Sequence, residues 1–177
     1  MKNILIIGST GQIGTELTMA LRKHSPNGNV VAGYIPAQPP TEMLKETGPC
    51  EIVDITNAQQ IADVVKKYQV DTIYNLAALL SAVAEAKPQL AWQIGMGGLF
   101  NVLEVARETG AAVFTPSSIA AFGPGTVKDM VPQDTVQRPQ TMYGVTKVSG
   151  ELLSDYYHKR FGVDTRSVRF PGLISYV

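Results

Sequence analysis

Asn3-Ile4-Leu5-Ile6-Ile7-Gly8-Ser9-Thr10-Gly11-Gln12-Ile13-Gly14 is the stretch that decides the fold. Residues 4–7 form an unbroken apolar, largely β-branched run that stops at Gly8. A run without alternation suits a strand covered on both faces, and such strands belong to parallel sheets. Beyond the glycines, Ile13, Leu17, Ala20 and Leu21 recur at helical spacing, which lays one face of a helix on that sheet. Strand, glycine turn and helix in this order let backbone approach a pyrophosphate, whose charge then meets the positive end of the helix. Gly8, Gly11, Gln12, Ile13 and Gly14 are the expected cradle, spaced G-x-x-G-x-x-G.

Working outward, the 177 residues suffice for one domain spanning 1–177. Equal numbers of acidic and basic residues, 15 of each, give no field that would gather nucleic acid. No apolar stretch is long enough for a bilayer and the first one is too short for a secretion signal, so no membrane partner is expected and the cytoplasm is the default compartment. Cys50 is the single cysteine and is expected to be a small buried residue. His24 and His158 stand far apart in sequence, so no metal site is read.

Further strands are expected at residues 29–35, 50–53, 71–76, 111–114 and 164–170, with helices between them at 41–46, 57–68, 88–109 and 143–161. This alternation predicts an α/β, doubly wound parallel sheet. Thr56-x-x-Gln59 reads as a capping box for the third helix. The two long helices are apolar on more than one side, which calls for two neighbours each. Tyr143 and Lys147 stand four apart at the start of the last helix, hence on one face. A lysine cation beside a phenol favours phenolate, so the pair is a candidate proton acceptor. Ser118, just past the fifth strand, can donate to a substrate oxygen, with Ser117 as the neighbour that shares the role. Ser81 would lie at the carboxyl edge of the sheet, where doubly wound folds bind ligands.

The glycine turn after the first strand, a serine after the fifth and Tyr143/Lys147 after that resemble an extended short-chain dehydrogenase/reductase, the group that includes sugar-nucleotide epimerases and dehydratases. Within it, residues 11–17 (GQIGTEL), 79–82 (LLSA), 118–124 (SIAAFGP), 138–147 (RPQTMYGVTK) and 169–172 (RFPG) are similar to the NAD-dependent L-threonine 3-dehydrogenases. The resemblance implies a Rossmann-like domain that binds NAD and oxidises L-threonine to 2-amino-3-ketobutyrate. Tyr143 would take the hydroxyl proton, Lys147 would hold the nicotinamide ribose, and Ser118, with Ser81 and Ser117, would orient the substrate. It also places Asp54 and Ile55 at the adenine, Leu76, Ala77 and Ala78 under the nicotinamide ribose, and Phe170, Pro171 and Gly172 beside the nicotinamide amide. The double-sided helices would pair with their copies in a homodimer. A catalytically silent NAD-binding or dimerisation module and a sugar-nucleotide epimerase or dehydratase stand as alternatives.

Two positions depart from the pattern. Tyr34 stands where such domains usually offer a ribose-binding acid, and Gly95 stands where an asparagine usually supports the active-site region. Members of the family also continue well past residue 177, so most of a C-terminal substrate lobe is expected to be missing.

Overall fold

In the computed structural model, which describes residues 2–26 and 28–173, β1 (Asn3–Ile7) lies between β2 (Asn29–Tyr34) and β4 (Thr72–Asn75). Ile4, Leu5 and Ile6 have no exposed surface, the burial on both faces that an unbroken apolar strand requires. The sheet has six strands in the order β3-β2-β1-β4-β5-β7, completed by β3 (Cys50–Ile52), β5 (Ala112–Phe114) and β7 (Thr165–Arg166). Each pairing in it is parallel. This is the predicted doubly wound, Rossmann-like α/β sheet. Its order reverses between β1 and β4, so the carboxyl ends of those strands open the crevice in which ligands of such sheets bind.

The period-two alternation of β1 divides the core. Leu5 and Ile7 pack with Ile61 and Val64 of α3 (Ala58–Tyr68), with Leu99 and Leu103 of α6 (Gly98–Thr109) and with Tyr157 of α7 (Met142–Phe161). Ile4 and Ile6 face the other way, onto Leu17 and Leu21 of α1 (Gln12–His24). Arg22 of α1 extends this second layer. Its guanidinium donates to the carbonyls of Leu44 at 2.6 Å and Pro49 at 2.7 Å, fastening α2 (Glu42–Thr47) and the start of β3.

The helix expected over residues 88–109 is present as α5 (Pro88–Trp92), a π-helical turn (Gln93–Gly97) and α6 without a break. The π turn contains Gly95, where a Cβ would lie 3.2 Å from Thr146 Cβ of α7. The glycine therefore lets the two helices approach closely, and π turns of this kind concentrate at functional sites.

Several expectations are corrected. The N-cap of α3 is Asn57, whose side chain accepts from the amides of Gln59 and Gln60, while Thr56 is bonded to Asp54 and caps nothing. The single strand expected at 164–170 is two short ones: β7 joins the main sheet, and β8 (Arg169–Phe170) pairs with β6 (Ser117–Ser118) in a separate ribbon. Ser81 opens a short helix, α4 (Ser81–Ala86), that the sequence did not announce. Cys50 is half-buried, its thiol near the carbonyls of Leu44 and Gly48. Among the described residues, no helix is long and apolar enough to cross a membrane.

Candidate active site

The cradle works through three glycines doing different things. Gly8 adopts φ +81°, and a Cβ there would lie 3.0 Å from the backbone of Leu76 and Ala77, so the turn is pressed against the end of β4. At Gly14 a Cβ would stand 2.2 Å from the Gly8 carbonyl oxygen, which closes the turn onto α1. At Gly11 the nearest atom would be 3.5 Å away, so the space in front of it is open. Gly11 is also the N-cap of α1 and offers no side-chain acceptor, so the first-turn amides around Gln12 and Ile13 have no cap. The Gly33 carbonyl holds the turn in place by accepting from Gly8 N at 3.2 Å, Ser9 N at 3.1 Å and Ser9 Oγ at 2.9 Å. Uncapped amides facing a space only a glycine leaves free fit a pyrophosphate.

This cradle floors a cleft of about 350 Å³. At one end stand Tyr34, Gln38, Asp54 and Ile55. Asp54 Oδ1 accepts from Thr56 N at 2.9 Å and Thr56 Oγ1 at 2.7 Å, leaving Oδ2 as its available oxygen. Ile55 is only 4% exposed and packs on Gly98, so much of its side chain serves the core. At the other end, residues 76–79 line both this cleft and a smaller cavity of about 40 Å³ beneath α7. Ala77 and Ala78 put only small side chains between the two.

The N-terminus of α7 brings the catalytic candidates together. Thr141 Oγ1 caps the helix by accepting from Gly144 N at 3.0 Å. A Cβ at Gly144 would sit 2.3 Å from the Ala120 carbonyl oxygen, so the glycine lets the helix start directly against the turn that follows Ser118. Tyr143 is thereby placed near Ser118, whose hydroxyl acts to lower the phenol's pKa. Ser118 Oγ also accepts from Ala120 N at 3.1 Å. One turn further along α7, Lys147 lies 5.2 Å from the centroid of the Tyr143 ring and donates to the Pro116 carbonyl at 2.8 Å.

The electrostatics differ from the expectation that Lys147 makes the phenol acidic. Burial pushes the Tyr143 phenol above its ordinary value, and the hydrogen bond to Ser118 offsets this only in part. Lys147 changes more: burial pulls its ammonium down to about 8. The spacing of the two residues predicted their proximity correctly, but desolvation governs both groups.

The remaining predicted residues are spread around this centre. Phe170 lies opposite Ser118 in the β6–β8 ribbon, with Pro171 and Gly172 exposed just beyond it. Ser81 is exposed at the start of α4. Ser117 is buried and its hydroxyl donates to Glu151, so it is committed within the fold rather than offered to a substrate. Glu151 is the residue that the sequence reading missed. It accepts from Arg169 Nε at 3.0 Å, Arg169 Nη2 at 2.7 Å and Gln137 Nε2 at 3.1 Å. Burial alone would raise its carboxyl, but these donors prevail and hold it below the usual value. Arg169 reaches on to the Gln133 carbonyl at 3.2 Å and lies over the Phe122 ring, tying the loop before α7 to β8. Its signal was available: Glu151 follows Lys147 by the same four-residue step that separates Lys147 from Tyr143. Among the described residues, no three His, Cys, Asp or Glu side chains are grouped to hold a metal ion.

The chain is similar to known proteins along nearly its whole length. The model of the NAD dependent epimerase/dehydratase family matches residues 4–176. An uncharacterized epimerase/dehydratase of Staphylococcus saprophyticus is 54% identical over all of this chain and 55% of its own length. Among solved structures, L-threonine dehydrogenase from Clostridium difficile is 57% identical with a TM-score of 0.91, over 99% of this chain and 55% of that one. The holo form of an L-threonine dehydrogenase from Cupriavidus necator is 45% identical with a TM-score of 0.92, over 98% of this chain and 56% of the other. The chain thus spans about half the length of the relatives it matches.

Proposed function

The chain belongs to the NAD dependent epimerase/dehydratase family, and we propose that it carries the cofactor half of an enzyme that oxidises L-threonine with NAD, giving 2-amino-3-ketobutyrate and NADH. The observation that supports this most is the contact of Tyr143 with Ser118 and Lys147 beside a cleft floored by the uncapped start of α1. The similarity to L-threonine dehydrogenases of two organisms supports the choice of substrate.

In this reading Gly8, Gly11 and Gly14 shape the pyrophosphate cradle, and Gln12 and Ile13 supply first-turn amides to it. Asp54 and Ile55 face the adenine; Leu76, Ala77 and Ala78 pass under the nicotinamide ribose; Phe170, Pro171 and Gly172 border the nicotinamide. Bound NAD supplies the hydride acceptor. Tyr143 takes the proton of the threonine hydroxyl as the hydride leaves the same carbon, a step for which the phenol must first be ionised against the burial that raises it. Ser118, close enough to the phenol to lower its pKa, donates to the substrate oxygen and steadies its developing charge. Lys147 is largely cationic below about pH 8 and would hold the nicotinamide ribose beside the phenol. Ser81, exposed at the start of α4, would contact the substrate.

The chain would act as a homodimer. Trp92, Phe100, Leu152 and Tyr156 are 46%, 50%, 63% and 53% exposed, an uncovered apolar face on the two long helices that a second copy would cover. The enzymatic reading is tested by mixing the protein with NAD and L-threonine. NADH should form with the wild type and not with Tyr143→Phe. Binding of NAD without turnover of threonine would instead favour a silent cofactor-binding module.

A further inference from the structure

The adenosine end of the cleft has an unusual chemistry. β2 ends at Tyr34, whose backbone is fixed by Val53 N donating to its carbonyl at 2.8 Å, so no acidic side chain occupies the position beside the turn. Directly after it, residues 35–38 fold back on themselves: Gln38 N donates to the Ile35 carbonyl at 2.9 Å, and the two residues form an antiparallel bridge. Pro36, at the second position of this turn, presets the backbone angle it needs. The turn returns Gln38 to the rim of the cleft that Tyr34 lines.

Two polar groups are left available there. Among the described residues, neither the Tyr34 hydroxyl nor the Gln38 side-chain amide has a hydrogen-bond partner, although both residues border the cleft. Asp54 is the one charged residue among those lining it, and Thr56 already occupies one of its oxygens. Among the described residues, no lysine or arginine lines it. The nearby cation Lys45 feels the Tyr34 phenol but is held by Glu42 at 2.6 Å.

We infer that Tyr34 and Gln38 together hold the adenosine ribose through neutral hydrogen bonds, replacing the acid, and that NAD is preferred over NADP because a 2′-phosphate would find no cation lining the cleft and only Lys45, already paired with Glu42, near it. The phenol can donate to or accept from a ribose hydroxyl, and the amide offers both kinds of group on one side chain. The inference rests on the cleft being a dinucleotide site, as proposed above, and adds which residues select the nucleotide.

Titration calorimetry with NAD and NADP tests it without relying on turnover. The wild type should bind NAD more tightly than NADP. Tyr34→Phe and Gln38→Ala should each weaken NAD about three- to tenfold, the loss expected for one neutral hydrogen bond, with unchanged melting temperatures. Tyr34→Asp should keep NAD binding and widen the preference over NADP by roughly tenfold or more, since the carboxylate would repel a 2′-phosphate. NAD affinity unchanged in both neutral variants would overturn the inference while leaving the cofactor site standing. NADP binding as tight as NAD in the wild type would overturn it too, and would point to Lys45. Failure of the wild type to bind either nucleotide would remove the cofactor site itself.

Discussion

Lys147 holds its ammonium 5.2 Å from the centre of the Tyr143 ring while bonding to the Pro116 carbonyl at 2.8 Å, deep enough that burial brings its pKa from 10.5 to about 8. In the unfolded chain the lysine keeps its proton up to about pH 10.5. Between the two values the unfolded state binds more protons than the folded one, so stability gains from rising pH across that window. Relative to Lys147→Met, the wild type should therefore improve by roughly 3 kcal/mol between about pH 7 and about pH 11. Urea unfolding of both proteins across this range measures it. A constant difference would show that the lysine is not desolvated as described.

Gly11 separates folding from binding. A methyl group there meets nothing closer than 3.5 Å, so Gly11→Ala should melt close to the wild type. It would nevertheless project into the space expected to receive the pyrophosphate, and NAD affinity should fall by at least about tenfold, roughly 1.4 kcal/mol. Calorimetry and thermal melts on one sample decide this. Undiminished binding would place the pyrophosphate elsewhere.

Glu151 and Arg169 form a partly buried pair, each side chain 17% exposed. Removing one partner strands the other, so Glu151→Leu should cost about 3 kcal/mol in urea unfolding. Arg169→Met added to it should recover a good part of that loss, because no unpaired charge then remains. Glu151→Gln keeps the shape and should lie between the wild type and Glu151→Leu. Since Ser117 and Gln137 also bond to Glu151, the Leu variant should expose the loop before α7 to proteolysis sooner than the rest of the chain.

Leu152 is 63% exposed in the middle of an apolar helix face. A charge there would be buried without a partner in a dimer, so Leu152→Glu should shift the protein to monomer in sedimentation velocity, at unchanged far-ultraviolet circular dichroism. A wild type that sediments as a monomer would dismiss the proposed interface.

How much was legible depended on the kind of signal. Residues 4–7 announce a buried strand because each of them is apolar, and Gly8 announces the turn because its φ of +81° favours glycine. The α7 pair was legible because helical spacing brings positions four apart together. Burial is not written in spacing, and so the acid–base balance of Tyr143 and Lys147 was misjudged. β7 and β8 are two residues each, too short for any periodicity, which made one expected strand into two. Gln38 reaches the cleft through a tight turn and Arg169 meets Glu151 across eighteen positions, relations that only the folded chain displays.

The central claim is that Tyr143, held by Ser118 and Lys147, takes the proton of a threonine hydroxyl during NAD-dependent oxidation. NADH formation from L-threonine and NAD, followed by absorbance for wild type and Tyr143→Phe with NAD binding confirmed in both, tests it most directly. The account predicts steady NADH production by the wild type and a loss of about a thousandfold or more in the variant, in keeping with removal of an acid–base group. An equally active Phe variant, or a wild type that binds NAD and turns over a nucleotide sugar but not threonine, would contradict it.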